Sequence, residues 1–259
     1  MSRTGNAFAK GKAFIPFITV GDPDISTTEL IIREAVKNGA DLIELGIPFS
    51  DPTAEGPVIQ AGNERALKGG ITTDQVFDLV RRLRKDIDVP FVFMTYSNVV
   101  FSYGSSRFME LCSKTGVDGV ILPDLPFEEK SEFLGDCKQY GVDLISLIAP
   151  TSGERIAMIA KEAVGFVYLV SSLGVTGVRS RITTDLRSIV DVIRKNTDIP
   201  VAVGFGISTP EQAKEMAALS DGAIVGSTIV RLVEQYRQDS PKVIGEYVRK
   251  MKDAVLSIK

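Results

Sequence analysis

Short, almost wholly apolar runs alternate with longer amphipathic ones along the entire chain, and this rhythm limits the folds open to it. The short runs lie near 13–20, 41–47, 91–96, 119–123, 143–149, 164–171, 200–206 and 222–227. Phe91-Val92-Phe93-Met94 and Gly222-Ala223-Ile224-Val225 have no polar alternation, as expected of strands covered on both faces in a parallel sheet. Helical patterns fall near 27–37, 73–87, 105–115, 128–140, 153–162, 184–196, 209–219 and 230–257. In 73–87, Val76, Phe77, Val80, Leu83 and Ile87 form the apolar stripe, and Arg81, Arg82, Arg84 and Lys85 are expected outward. Ser26, Thr73 and Ser152 are N-cap candidates, while Glu128 and Glu129 suit the positive start of the 128–140 helix.

The punctuation repeats as well. Gly39-Ala40-Asp41, Gly116-Val117-Asp118 and Gly141-Val142-Asp143 each close a helical run and open a strand, with the glycine expected in the left-handed turn between them. Pro90 and Pro200 introduce strands, where a missing N–H is tolerated. Eight strand–helix units without a Pro-, Ser- or Gly-rich linker predict a (β/α)₈ TIM barrel, a single domain over 1–259 with an extra N-terminal helix. A doubly wound open sheet is the alternative. The number of strands and the absence of G-x-G-x-x-G after the first strand disfavour it.

Composition removes whole classes of chemistry. There is no histidine among the 259 residues, which excludes Ser-His-Asp and Cys-His catalysis and His-ligated metals, and no metal is expected. Catalysis must rest on carboxylates, Lys, Tyr, Ser/Thr and backbone amides. The net charge of −3 argues against a nucleic-acid partner, which would need a basic stripe. The two cysteines, Cys112 and Cys137, form no C-x-x-C motif and no disulfide framework, so a reducing compartment is expected. The N-terminal residues lack a long apolar segment, and no run of ~18 apolar residues occurs, so the expectation is a cytoplasmic chain without leader or membrane span.

Residues 41–57 carry the strongest chemical signal. Glu44 lies inside an apolar run that breaks at Gly46 and Pro48 into a loop bearing Asp51 and Glu55. Desolvating a carboxylate is costly, so this is either an ion pair supporting the fold or an acid/base site. Active sites of this fold form at the C-terminal ends of the strands. That rule selects Glu44, Tyr96, Asp124, Tyr168 and Ser171, with packing the alternative for each tyrosine and turn-capping for Asp124. Gly204-Phe205-Gly206-Ile207-Ser208 and Gly226-Ser227-Thr228 follow the last two strands, where glycine loops and helix N-termini hold phosphate in this fold; turn geometry alone is the alternative. Loop 171–183 is long and rich in Gly and Ser, as a closing lid would be. Within it Arg179 and Arg181 suit either phosphate or surface ion pairs.

These segments together resemble the tryptophan synthase alpha chain family. The resemblance is carried by Pro16-Phe17-Ile18-Thr19-Val20-Gly21-Asp22-Pro23, Glu44-Leu45-Gly46-Ile47-Pro48-Phe49-Ser50-Asp51-Pro52, Met94-Thr95-Tyr96-Ser97-Asn98 and Pro123-Asp124-Leu125-Pro126. It continues through Gly174-Val175-Thr176-Gly177, Gly204-Phe205-Gly206-Ile207 and Val225-Gly226-Ser227, nearly spanning the chain. The resemblance implies a lyase that cleaves indole-3-glycerol phosphate to indole and glyceraldehyde 3-phosphate. It also implies a beta-chain partner in an α2β2 assembly, which carries pyridoxal phosphate and receives the indole, and no cofactor in this chain. By the same resemblance Glu44 is the catalytic glutamate and Glu55 the second catalytic carboxylate. Gly177, Gly204, Gly206, Gly226 and Ser227 then match substrate-binding positions, the phosphate site chief among them. Phe17, Tyr96 and Tyr168 match pocket-lining positions, and Thr176 matches the lid threonine. The family usually has aspartate where Glu55 stands and an apolar residue where Thr53 stands.

Overall fold

The computed structural model describes residues 2–171, 185–204 and 206–258. Its nine parallel strand segments are β1 (Ala13–Thr19), β2 (Ile43–Gly46), β3 (Phe91–Met94), β4 (Gly119–Ile121), β5 (Asp143–Leu144), β6 (Ser146–Ile148), β7 (Val167–Val170), β8 (Val201–Gly204) and β9 (Gly222–Val225). They pair in the order β5-β4-β3-β2-β1-β9-β8-β7-β6. The two ends of that series are consecutive in the chain, separated only by Ile145. The predicted (β/α)₈ barrel therefore stands, with its fifth strand broken: β5 pairs with β4, and β6 pairs with β7.

Side-chain alternation divides the apolar residues into two sets. Phe14, Ile18, Ile43, Leu45, Phe91, Phe93, Leu169 and Val203 pack outward under the helices. Ala13, Ile15, Phe17, Val92, Met94, Ile121, Tyr168, Ala202 and Ile224 form the smaller set that fills the barrel. Glu44 lies between Ile43 and Leu45, so the same alternation directs its carboxylate inward among the second set.

The helices correct several expectations. Pro57–Lys68 and Ser97–Tyr103 are helices where none was expected, the first starting with proline at a position where no N–H is needed. The run expected as one helix over 230–257 is two, Ser227–Tyr236 and Ser240–Leu256, broken at Arg237 with φ +49°. Asp24 and Thr72, not Ser26 and Thr73, cap their helices, whereas Ser152 caps as expected. Gly116 and Gly141 take the expected left-handed turns. Glu128 and Glu129 lie in a 3-10 turn before the helix Ser131–Tyr140, and Glu128 pairs with Arg155.

The aspartates of the repeated punctuation have a further role at the N-terminal face. Asp41 accepts from Phe14 N–H at 2.7 Å and Asp118 from Phe91 N–H at 2.9 Å, each tying the start of one strand to its neighbour. Each also meets a cation, Lys252 and Arg84 respectively. Arg84, expected outward, is instead largely covered, donating to Gly116 O at 2.8 Å and lying 4.1 Å over the Phe91 ring. Cys112 and Cys137 are free and buried.

Candidate active site

A cavity opens at the C-terminal ends of the strands. It is lined by Phe17, Met94, Tyr168 and Ile224 from the barrel wall, by Ala54, Glu55 and Ile59, by Gly206, Ile207, Gly226 and Ser227, and by Glu44. Glu44 is 1% exposed, and among the described residues neither carboxylate oxygen has a hydrogen-bond partner. Burial pushes its pKa up to about 8, and the charge of nearby Glu55 adds to the rise. A carboxyl so placed is neutral near pH 7 and can both give and take a proton.

Glu55 is held differently. Asn63 Nδ2 donates to its Oε2 at 2.6 Å, and Gln60 Nε2 donates to its backbone carbonyl at 2.7 Å. The Tyr96 hydroxyl also donates to its carboxylate. Burial raises the Glu55 pKa to about 7, and the Asn63 and Tyr96 bonds oppose the rise. Tyr96 accepts in turn from Ala54 N–H at 3.2 Å and stacks on Phe49, with ring centroids 5.2 Å apart, so it orders the 47–56 loop from behind.

The glycine loops present backbone to the cavity. Gly226 precedes the helix Ser227–Tyr236, whose first N–H groups have no intrahelical acceptor and lie at the positive end of its dipole. Gly206 has φ +78°, a left-handed conformation that favours glycine. Gly204 does not line the cavity. A Cβ there would lie 2.5 Å from the Tyr168 hydroxyl, so the missing side chain makes room for the tyrosine. Asp124 accepts from Ser97 N–H at 3.0 Å and from the Ser97 hydroxyl at 2.5 Å, capping the helix Ser97–Tyr103 as the bland reading allows.

The sequence profile of the tryptophan synthase alpha chain family matches residues 6–256. The chain belongs to that family. It is 48% identical over 255 residues to the tryptophan synthase alpha chain of Lacticaseibacillus casei, covering 98% of this chain and 96% of that one. Its fold superposes on tryptophan synthase subunit alpha of Legionella pneumophila with a TM-score of 0.90, at 36% identity and over all of both chains. It also matches, with a TM-score of 0.84 and 33% identity, a structure described as the tryptophan synthase α2β2 complex of Pyrococcus furiosus, over 93% of this chain and 98% of that one. Tryptophan synthase alpha chains are lyases that cleave indole-3-glycerol phosphate in tryptophan biosynthesis.

Of the site residues expected for a tryptophan synthase alpha chain, Glu44, Glu55, Phe17, Tyr168, Gly206, Gly226 and Ser227 share the one cavity. Tyr96 and Gly204 stand behind it, supporting Glu55 and Tyr168. Thr176 and Gly177, with the expected lid and its Arg179 and Arg181, lie outside the described residues. Sequence reasoning missed Asn63, Gln60 and the apolar wall of Ile59 and Met94. The available signal was the spacing of Ile59 and Asn63, four apart and therefore on one helix face. It went unread because the helix carrying them was not expected. Among the described residues no cluster of His, Cys, Asp or Glu could hold a metal, and no helix is long and apolar enough to cross a membrane.

Proposed function

We propose that this cavity carries out the alpha reaction with Glu44 as the proton-transfer group. The supporting observation is Glu44 itself: a buried carboxyl lining the cavity, both oxygens without a hydrogen-bond partner among the described residues. The C3–carbon bond of indole-3-glycerol phosphate breaks only when C3 gains a proton and the hydroxyl on the attached carbon loses one. Neutral Glu44 gives its proton to C3. As carboxylate it takes the hydroxyl proton while the bond breaks, and the electron pair of that bond neutralises the ring nitrogen cation formed on C3 protonation. Indole and the aldehyde of glyceraldehyde 3-phosphate result, and Glu44 is neutral again.

Glu55 faces the indole N–H and stabilises the positive charge that C3 protonation places on the ring. Phe17 and Tyr168 flank the indole. Gly206, Gly226 and Ser227 hold the phosphate by backbone N–H groups and a helix dipole, and that remote binding energy fixes the reacting carbon against Glu44. Thr176 and Gly177 complete the site from loop 171–183 by family resemblance. Replacing Glu44 with Gln tests the assignment: indole release by the purified variant near the wild-type rate removes Glu44 from the mechanism.

The indole passes to a pyridoxal-phosphate-dependent beta chain in an α2β2 assembly, and this chain needs no cofactor of its own. The relation to the Pyrococcus furiosus complex supports the partner. So does Phe101, a large apolar side chain 72% exposed on the helix that Tyr96 introduces. Co-purification with a beta chain, read by the absorbance of its pyridoxal phosphate, tests it.

A further inference from the structure

Behind the cavity, Asp22 and Arg65 form an ion pair that the chemistry above does not use. Asp22 is 1% exposed and follows β1, the strand that carries Phe17. Arg65 engages both its oxygens, Nε to Oδ1 at 2.9 Å and Nη2 to Oδ2 at 2.7 Å. Arg65 lies on the helix Pro57–Lys68, which begins two residues after Glu55 and carries Gln60 and Asn63, both of which hydrogen-bond Glu55. The same helix rests on Ser227–Tyr236. A Cβ at Gly62 would stand 2.9 Å from Val230 Cγ1 and 3.3 Å from Asp22 Oδ2. Arg65 Nη1 also reaches Glu234 of that helix at 3.1 Å, but Glu234 is half exposed, so this contact is solvent-screened and weak.

Three elements thus meet at one pair whose carboxylate is buried: the strand of Phe17, the helix that holds Glu55, and the helix whose N-terminus holds phosphate. We infer that Asp22 and Arg65 are positioning residues for the alpha reaction, a two-pronged clamp that fixes the Glu55 carboxylate relative to the bound phosphate. The inference rests on the function proposed above. A planar guanidinium bound through two nitrogens fixes orientation as well as distance, which a lysine cannot do. Loss of the second prong lets the helix pivot. It displaces Glu55 while leaving the phosphate N–H groups of Gly226 and Ser227 intact.

The test compares wild type, Arg65→Lys, Asp22→Asn and Glu234→Gln for the kcat of indole release and for affinity toward glyceraldehyde 3-phosphate. The fraction folded is fixed by circular dichroism. For Arg65→Lys and Asp22→Asn, kcat per folded molecule falls about 10- to 100-fold, as a ~1 Å misplacement implies. Affinity for glyceraldehyde 3-phosphate stays within about threefold, a split that a purely structural role does not produce. Glu234→Gln matches wild type. A kcat within about twofold of wild type in both clamp variants, or a parallel loss of kcat and product affinity, overturns the inference while leaving the proposed function standing. If neither clamp variant folds even in the cold, the pair is a folding determinant and the inference is wrong. If wild type releases no indole, the proposed function fails and this inference falls with it.

Discussion

Asn63 Nδ2 donates to Glu55 Oε2 at 2.6 Å, whereas Glu44 in the same cavity has no hydrogen-bond partner at either oxygen among the described residues. The two carboxylates are therefore prepared for different work: one is held in place, the other left free to exchange a proton.

Glu44→Gln removes the exchangeable proton and nearly nothing else. Indole release falls by about 10²–10⁴-fold, the usual contribution of a positioned acid/base. Stability moves the other way. The folded-state pKa of Glu44, about 8, lies above its ordinary 4.5, so the folded state holds the extra proton. That contribution is full below pH 4.5 and is lost as pH rises through 8. Denaturant midpoints at pH 6 and pH 9 check the sign: wild type loses more stability across this window than Glu44→Gln.

The pH dependence of activity follows from the same two groups. Glu44 must start neutral and Glu55 must be ionised. With burial raising them to about 8 and about 7, kcat/KM falls on both sides of a narrow optimum between those values. In Glu44→Gln the alkaline limb disappears from the residual activity.

Asn63→Ala strips one hydrogen bond from the buried Glu55 carboxylate, at a stability cost of roughly 1–3 kcal/mol. The kcat falls about tenfold or more as Glu55 loses its fixed pose. Glu55→Asp shortens the same carboxylate away from Asn63 and lowers kcat in the same direction. Equal kcat in wild type, Glu55→Asp and Glu55→Ala removes Glu55 from the mechanism.

Gly204→Ala drives a methyl group into the Tyr168 ring, whose hydroxyl oxygen would lie 2.5 Å away. Overpacking of this kind costs about 1–3 kcal/mol, and the displaced tyrosine narrows the cavity. A smaller residue at 168 removes the collision. The thermal midpoint of Gly204→Ala/Tyr168→Leu therefore exceeds the value expected from adding the two single effects.

Phe101→Glu tests the docking surface. Loss of an apolar anchor typically costs ~2 kcal/mol or more, about 30-fold in affinity for the beta chain by titration. Indole release by the isolated chain is unchanged, because Phe101 lies outside the cavity.

The barrel and the location of its chemistry were legible in the amino-acid pattern alone. Buried parallel strands must be apolar throughout, so their count and order were legible. A carboxylate in such a strand stood out against that background, as did the glycine loops after the last two strands. Direction was legible too, because alternation along Ile43-Glu44-Leu45 sends Glu44 opposite to its neighbours. Tertiary structure decided what depends on contacts between segments distant in sequence. Strand five breaks at Ile145, its two halves pairing with different neighbours, and the helix Pro57–Lys68 forms against Ser227–Tyr236 despite a weak local pattern. Only that packing brings Asn63 to Glu55 and Arg65 to Asp22. That Glu44 has no hydrogen-bond partner among the described residues is likewise a property of the surrounding fold. Local sequence sets the period and face of a side chain, but the dielectric around it and the groups it meets are set by elements far away in the chain.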